Sequence, residues 1–255
     1  MLPFGQMSLW GENIALNANI NINNLFSNLE CLGLNSLPLM SNKSNKISRL
    51  RADKRIGPHN KIILDLIFGS LLGDGFAERR IGGNGTRITF YQEGIHVSYL
   101  LWLHGLFSEL RYCSSNLPEI QRRLGLKGKV RKIIRFRTFT YTSFNWIHDM
   151  WYINGIKIIP SNIGYFLTPL ALAIWIMDDG GKVSKGLKLA TNSFTYSECL
   201  FLVKVLFENF NLKASVQSAG APNQYQIYIW KESMPLLREI VLPYVHSSMK
   251  YKLIN

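Results

Sequence analysis

The sequence predicts an α+β fold built from two similar halves, on three observations. Two apolar helices each end in Asp-Gly, and their aspartates, Asp74 and Asp179, stand 105 residues apart. Each helix is followed by the same series: a glycine-rich turn, an alternating strand and an amphipathic helix. Hydrophobic residues make up 47% of the 255, enough for a core and too many for a disordered chain.

The elements follow in chain order. Residues 1–58 are rich in Asn, Ser and Leu and keep no period, and Ser41 to Arg55 is basic and polar. They read as an N-terminal extension ending in a mobile linker. The compact part is expected to start near His59. Ile62 to Gly75 reads as a short apolar helix, with Gly75 as its stop. A turn at Gly82–Gly85, a strand over Thr86–Gln92 and a helix over Val97–Leu110 complete that series. The second series opens at Thr168, a predicted N-cap, with Pro169 at the first helical position. Its helix runs to Gly180. A strand near Leu187–Asn192, a helix over Tyr196–Phe210, a hairpin of Ala214–Gln217 with Gln224–Trp230, and a helix near Met234–Leu242 come next. The junction falls near residues 160–166, so the segments are 1–58, 59–163 and 164–255.

Composition narrows the function. Lys+Arg 29 against Asp+Glu 16 gives a net charge of +13, which points to a polyanionic partner. Residues 59–255 carry +10 of it, so the charge belongs to the folded part. Cys31, Cys113 and Cys199 form no CxxC pair, which argues against a disulfide framework or structural zinc. The longest uninterrupted apolar run, Leu170–Met177, falls far short of a membrane span. No basic region followed by an apolar stretch marks a signal peptide. His59, His96, His104, His148 and His246 make no ligand spacing and read as core or surface residues.

The chemistry lies at the helix ends. A helix C-terminus carries partial negative charge, so a carboxylate there is disfavoured by about 0.3–1 kcal/mol. Two such ends side by side would add carboxylate repulsion. A divalent cation relieves both costs, and hard oxygen ligands suit Mg²⁺, with Mn²⁺ as the alternative. Gly69 and Gly73 share one helix face, and Ala171 and Ala173 supply small side chains on the other helix. These small residues let the two helices approach and bring Asp74 and Asp179 together.

Ile67-Phe-Gly-Ser-Leu-Leu-Gly-Asp-Gly75 and Leu172-Ala-Ile-Trp-Ile-Met-Asp-Asp-Gly180 resemble the paired motifs of the LAGLIDADG homing endonucleases. Tyr165 to Lys182 is similar to the second motif of the single-chain, intron-encoded members, and the likeness covers about residues 60–253. Leu72 stands where many members carry an acid. Ile174 and Met177 stand where the name-giving pattern has Gly and Asp. The resemblance implies two αββαββα halves related by a pseudo-twofold axis. The motif helices form the interface, and two antiparallel sheets form a saddle over double-stranded DNA. It implies that Asp74 and Asp179 are catalytic metal-binding acids, with Asp178 a local capping or structural acid. It implies that Lys157 and Lys252 stabilise charge on the phosphate, with Lys250 as an alternative to Lys252. Asn192 resembles a polar pocket residue. The implied reaction is metal-assisted phosphodiester hydrolysis by a monomer.

Between Gln121 and His148 stand eight basic residues before any acid. As a strand, Lys129, Arg131, Ile133, Arg135 and Arg137 share an outer face, with Val130, Ile134 and Phe136 turned to a core and Lys132 the exception. A cationic strand face fits a DNA groove. Arg79, Arg80 and Arg87 in the first half, and Lys182, Lys185, Lys188, Lys213, Gln224 and Gln226 in the second, are the other expected DNA contacts.

Leu2-Pro-Phe-Gly-Gln-Met-Ser-Leu-Trp-Gly11 resembles a segment of mitochondrial cytochrome b. That implies a reading frame in an intron of that gene, continuous with its upstream exon, and a mitochondrially encoded product. Two functions compete: a site-specific DNA endonuclease, and an RNA maturase acting on its own intron RNA. The maturase needs a basic surface but no paired acids, so the two aspartates favour cleavage.

Overall fold

The computed structural model describes residues 50–79, 82–124, 128 and 130–254. The cytochrome b-like segment, Cys31, Arg80, Lys127 and Lys129 lie outside the described residues. The first half runs α1 (Lys61–Leu72), β1 (Phe76–Arg79), β2 (Thr86–Glu93), α2 (Val97–Glu109), β3 (Gln121–Leu124), β4 (Val130–Arg137) and α3 (Asn145–Trp151). A ribbon of β5 (Tyr152–Ile153) and β6 (Ile156–Lys157) and a short helix α4 (Ile163–Phe166) lead to the second half. That half runs α5 (Pro169–Asp179), β7 (Gly180–Val183), β8 (Gly186–Ala190), α6 (Tyr196–Phe210), β9 (Ala214–Ser218), β10 (Tyr225–Ile229) and α7 (Met234–Val241). A 3₁₀ segment, Ser247–Lys252, follows.

Both halves are therefore αββαββα. Their sheets are antiparallel and share one strand order, β1-β2-β4-β3 and β7-β8-β10-β9. The duplication expected from sequence is realised in topology. Both halves lie within one compact unit, Lys46–Asn255, so the junction near residues 160–166 is a connection inside that unit.

The compact part starts earlier than expected. Residues 52–55 are packed on the first half: the Arg55 guanidinium donates to Thr140 O at 2.9 Å and lies 4.8 Å from the Phe139 ring centre. Ser143 Oγ donates to Arg55 O at 3.1 Å. A run that reads as a solvated tether in composition is held here by one stacked arginine.

The helix signals hold at α5. Thr168 accepts from Ala171 N at 3.2 Å, and Pro169 occupies the first turn. Helix α1 stops earlier than expected, at Leu72, and Asp74 sits in a turn closed by Gly75 N donating to Ser70 O at 2.7 Å. Both helices are buried almost all round, as centre-of-core helices are. They pack on each other through small residues. A Cβ added at Gly69 would lie 2.4 Å from Ala171 O, and one at Gly73 2.5 Å from Asp178 Cβ.

Strand alternation sets the sheet faces. Ile88, Phe90, Ile134 and Phe136 are buried under the helices, while Arg87, Arg135 and Arg137 project outward. Two positions on β4 depart from the expected pattern. Ile133 shares the outward face yet is buried, because it sits on a central strand between Glu93 and Gln121. Val130, expected in the core, is 58% exposed, because the β3–β4 hairpin runs past the helices that cover the sheet. Among the described residues no helix is long and apolar enough to cross a membrane. Cys113 and Cys199 are buried thiols.

Candidate active site

The close packing of α1 on α5 puts Asp74, Asp178 and Asp179 into one another's electrostatic field at the ends of two helices. Asp179 is pushed up to about 7, first by burial and then by the Asp74 charge. Asp74 is raised by burial, against the pull of the Gln92 hydrogen bond, Lys252, Lys157 and His96. Asp178 is raised well above the carboxylate range, by burial and then by Asp74. The geometry thus concentrates carboxylates where each opposes ionisation of the next.

Asp178 is more than a local cap. Tyr99 OH, from α2, donates to Asp178 Oδ1 at 2.8 Å. Gln92 Nε2, from β2, donates to Asp178 Oδ1 at 3.1 Å and to Asp74 Oδ2 at 2.7 Å. The first half therefore grips the acid of the second. Sequence reasoning missed Gln92 and Tyr99. The signal for Gln92 was a polar side chain closing the apolar face Ile88, Phe90, Gln92, where alternation calls for another hydrophobe. Its register counterpart in the second half is Thr191, whose Oγ1 donates instead to Tyr225 O at 2.8 Å. Asn192 is exposed and lies outside the cluster.

Each lysine caps the motif helix of its own half. Lys157 Nζ donates to Gly75 O at 3.0 Å and Gly73 O at 3.4 Å. Lys252 Nζ donates to Asp178 O at 3.1 Å, Ile176 O at 3.3 Å and Met177 O. A cation at a helix C-terminus satisfies orphan carbonyls and opposes the dipole. It also faces the carboxylates, whose charge opposes the loss of its proton. Burial nevertheless pulls Lys157 down to about 8 and lowers Lys252. The two are not equivalent. An ammonium has three donors, so Lys252 is saturated by three carbonyls while Lys157 keeps one N–H in hand. Lys250 is half-buried, and no side-chain contact ties it to the acids. His96, expected to be core or surface, stands in the field of Asp74 and Lys252.

The cluster fits a divalent cation. Its donors are hard carboxylate oxygens, and their raised proton affinity reflects negative charge that a cation would neutralise. Among the described residues no group of three or more His, Cys, Asp or Glu side chains could hold a metal alone. Water and phosphate oxygens would have to complete the shell, which is the habit of Mg²⁺.

The outer sheet faces are cationic. Arg137 is lowered by burial and by its neighbours Arg87 and Arg135, so the three form a cluster. Arg87 also pairs with Glu78 at 2.7 Å, and Arg131 with Glu93 at 3.2 Å. By register Lys188, Gln226 and Lys213 take the outer face of the second sheet, and Gln224 closes the β9–β10 hairpin. Arg79 and Lys182 are not brought to that face. Arg79 pairs across β1–β2 with buried Thr86, which turns it to the helix side, where it meets Asp149 at 2.9 Å. Lys182 pairs with buried Leu187 and turns the same way. Lys185 stands in the β7–β8 turn.

Comparison with known proteins matches this architecture. The chain is 54% identical over 198 residues to the cytochrome b mRNA maturase bI2 of Debaryomyces hansenii, covering 78% of this chain and 76% of that protein. It is 48% identical over 238 residues to the cytochrome b mRNA maturase bI2 of Saccharomyces cerevisiae, covering 91% of this chain but only 56% of that longer protein. Its fold superposes on the homing endonuclease I-WcaI bound to its DNA recognition sequence with a TM-score of 0.71. Identity there is 27%, over 80% of this chain and 90% of that one. The model of the LAGLIDADG DNA endonuclease family matches residues 64–237, a span that contains both Asp-Gly motifs and both sheets, and the chain belongs to that family.

Proposed function

We propose that this chain is a divalent-metal-dependent DNA endonuclease that cuts both strands at one site, the insertion point of its own intron in an intronless allele. The observation that carries this reading is the pair Asp74 and Asp179, one from each half, at abutting helix ends, each helix capped by its own lysine. A bound divalent cation, Mg²⁺ or Mn²⁺, would activate water and stabilise charge on the scissile phosphate. Asp74 and Asp179 would hold it. Gln92 orients Asp74, Asp178 ties the halves, and the free N–H of Lys157 is available to a phosphate oxygen. The outer face with Arg87, Arg131, Arg135, Arg137, Lys188, Lys213 and Gln226 would carry the duplex, as a monomer. Arg80, Lys129 and Gln224 are proposed as flanking contacts. A mitochondrial origin is supported by the cytochrome b-like segment and by the names of the maturase relatives.

A second reading has its own support. The relatives at 54% and 48% identity are named mRNA maturases, so RNA binding to its own intron is proposed beside cleavage. The test incubates the purified full-length chain with a plasmid carrying the intronless cytochrome b junction, with Mg²⁺ and with EDTA. A discrete Mg²⁺-dependent double-strand cut, lost in Asp74→Asn and Asp179→Asn, is the expected result. Absence of any cut, with tight binding to the intron transcript, would leave the maturase reading alone.

A further inference from the structure

We propose that a cationic cleft on the helix side of the second sheet binds the phosphodiester backbone of RNA. This rests on the maturase reading and names its contact surface. The cleft has a volume of about 570 Å³ and is lined by Lys182, Lys185, Lys231 and Arg238, with Glu232 its one acid.

The four cations come from four places in the fold. Lys182 is at the end of β7, turned to the helix side by its pairing with Leu187. Lys185 sits in the two-residue turn between β7 and β8, shaped by Ser184 at φ 51°. Lys231 lies in the turn before α7. Its partner Glu232 is 3.7 Å away in an exposed pair, which neutralises little. Arg238 on α7 is anchored through Nε to Leu253 O at 2.7 Å. That bond fixes the guanidinium at the wall, and the group carries four further N–H donors.

Met234 and Pro235, the first turn of α7, also line the cleft. Ser233 does not cap that helix with its side chain; its Oγ accepts from Lys213 N at 2.8 Å instead. Met234 N–H is spent on Lys231 O and Pro235 has no N–H, so the cleft takes its positive charge from side chains and not from this helix end.

Placement decides which nucleic acid it fits. The outward cations of both sheets lie on the opposite side of their strands, so a polyanion in this cleft is not the one lying on the sheets. No aromatic side chain lines the cleft, so it offers no stacking platform for bases. Its chemistry is phosphate contact without base reading, the mode by which structured RNA is held through shape and backbone.

The test uses the full-length chain with a labelled transcript of the intron that carries its reading frame and, separately, the insertion-site duplex. The variants are Lys231→Glu and Lys231→Glu with Arg238→Gln. Lys231 is exposed in a turn, so the single variant keeps the fold should loss of the Arg238 bond to Leu253 O disturb it. Expected are RNA binding weakened about tenfold or more and a salt slope shallower by about 1–2, with duplex binding and cutting unchanged. RNA binding equal to the unaltered chain overturns the proposal. Equal losses on RNA and duplex also overturn it, because they assign the cleft to the DNA path. No RNA binding by the unaltered chain overturns the maturase reading itself, and the proposal falls with it.

Discussion

Asp74 and Asp178, one from each half, share a single side-chain amide: Gln92 Nε2 lies 2.7 Å from Asp74 Oδ2 and 3.1 Å from Asp178 Oδ1. Gln92 is nearly buried, at 4% exposure. The amide is held by the neighbouring strand and fixes the Asp74 carboxylate before any substrate arrives. A hydrogen bond to a charged group is worth about 1.5–3 kcal/mol. Gln92→Ala is therefore expected to slow cleavage by about 10- to 100-fold while duplex affinity changes little. Single-turnover cutting on the target, beside a binding isotherm, checks it; an unchanged rate would remove Gln92 from the site.

Asp178 and Asp179 are neighbours in sequence with different tasks. Asp178 is gripped by Tyr99 and Gln92, and burial raises it well above the carboxylate range, so an amide, which keeps the acceptor oxygen and carries no charge, can replace it. Asp178→Asn is expected to keep its melting temperature within a few degrees and its cutting rate within about tenfold. Asp179→Asn removes a proposed metal ligand and is expected to lose cutting by at least about 10²–10³. The opposite ranking would move the catalytic role to Asp178.

The acid cluster makes stability depend on pH in a defined direction. Asp179 has a folded-state value of about 7 against 3.8 as an ordinary aspartate. Between these values the folded chain binds more protons than the unfolded one, so stability falls as pH rises from about 4 to about 7. Lys157, lowered from 10.5 to about 8, binds fewer protons when folded, so its effect is a recovery between about 8 and 10.5. Thermal melts in EDTA should show the fall between pH 4 and 7, and Mg²⁺ should remove most of it by binding the ionised form.

The interface glycines carry a sterically defined risk. A methyl at Gly69 would meet Ala171 O at 2.4 Å and Ile174 Cβ at 2.8 Å. Both belong to a helix buried almost all round, which cannot retreat without parting the two halves. Gly69→Ala is expected to destabilise by about 1–3 kcal/mol, read as a lower urea midpoint. Cutting should fall with it, because Asp74 and Asp179 ride on these helices.

What could be read from sequence was what local rules determine. The Thr168-Pro169 start of α5, the Asp-Gly helix ends and the strand over Thr86–Gln92 obey capping, dipole and period-2 rules that need no partner. What could not be read depended on which side chains meet across the fold. Gln92 and Tyr99 reach Asp178 from the other half; the polar Gln92 on an apolar strand face signals a buried partner, but only the fold says which one. Arg55 looked like part of a solvated basic run until its stacking partner Phe139, 84 residues on, was in place. Ile133 alternates outward but is covered by its neighbours on β2 and β3. The lysines were found by likeness, but their bonds to carbonyls at the helix ends appear only once β6 and the 3₁₀ segment dock there.

The arginines of the first sheet separate into two groups by face, and that separation can be measured. Arg135 and Arg137 project from the outer face and crowd Arg87, so each carries positive charge held close to others of its kind. A polyanion lying there relieves the crowding as it releases its own counterions, and each phosphate contact contributes about 0.9 to the salt slope. Arg79, by contrast, turns to the helix side and pairs with Asp149 at 2.9 Å. Arg135→Ala with Arg137→Ala should weaken duplex binding and flatten the slope by about 2, whatever the DNA sequence. Arg79→Ala should leave both within error. Titrations at several salt concentrations decide it: equal effects from the two substitutions would mean that the duplex does not follow the outer sheet face.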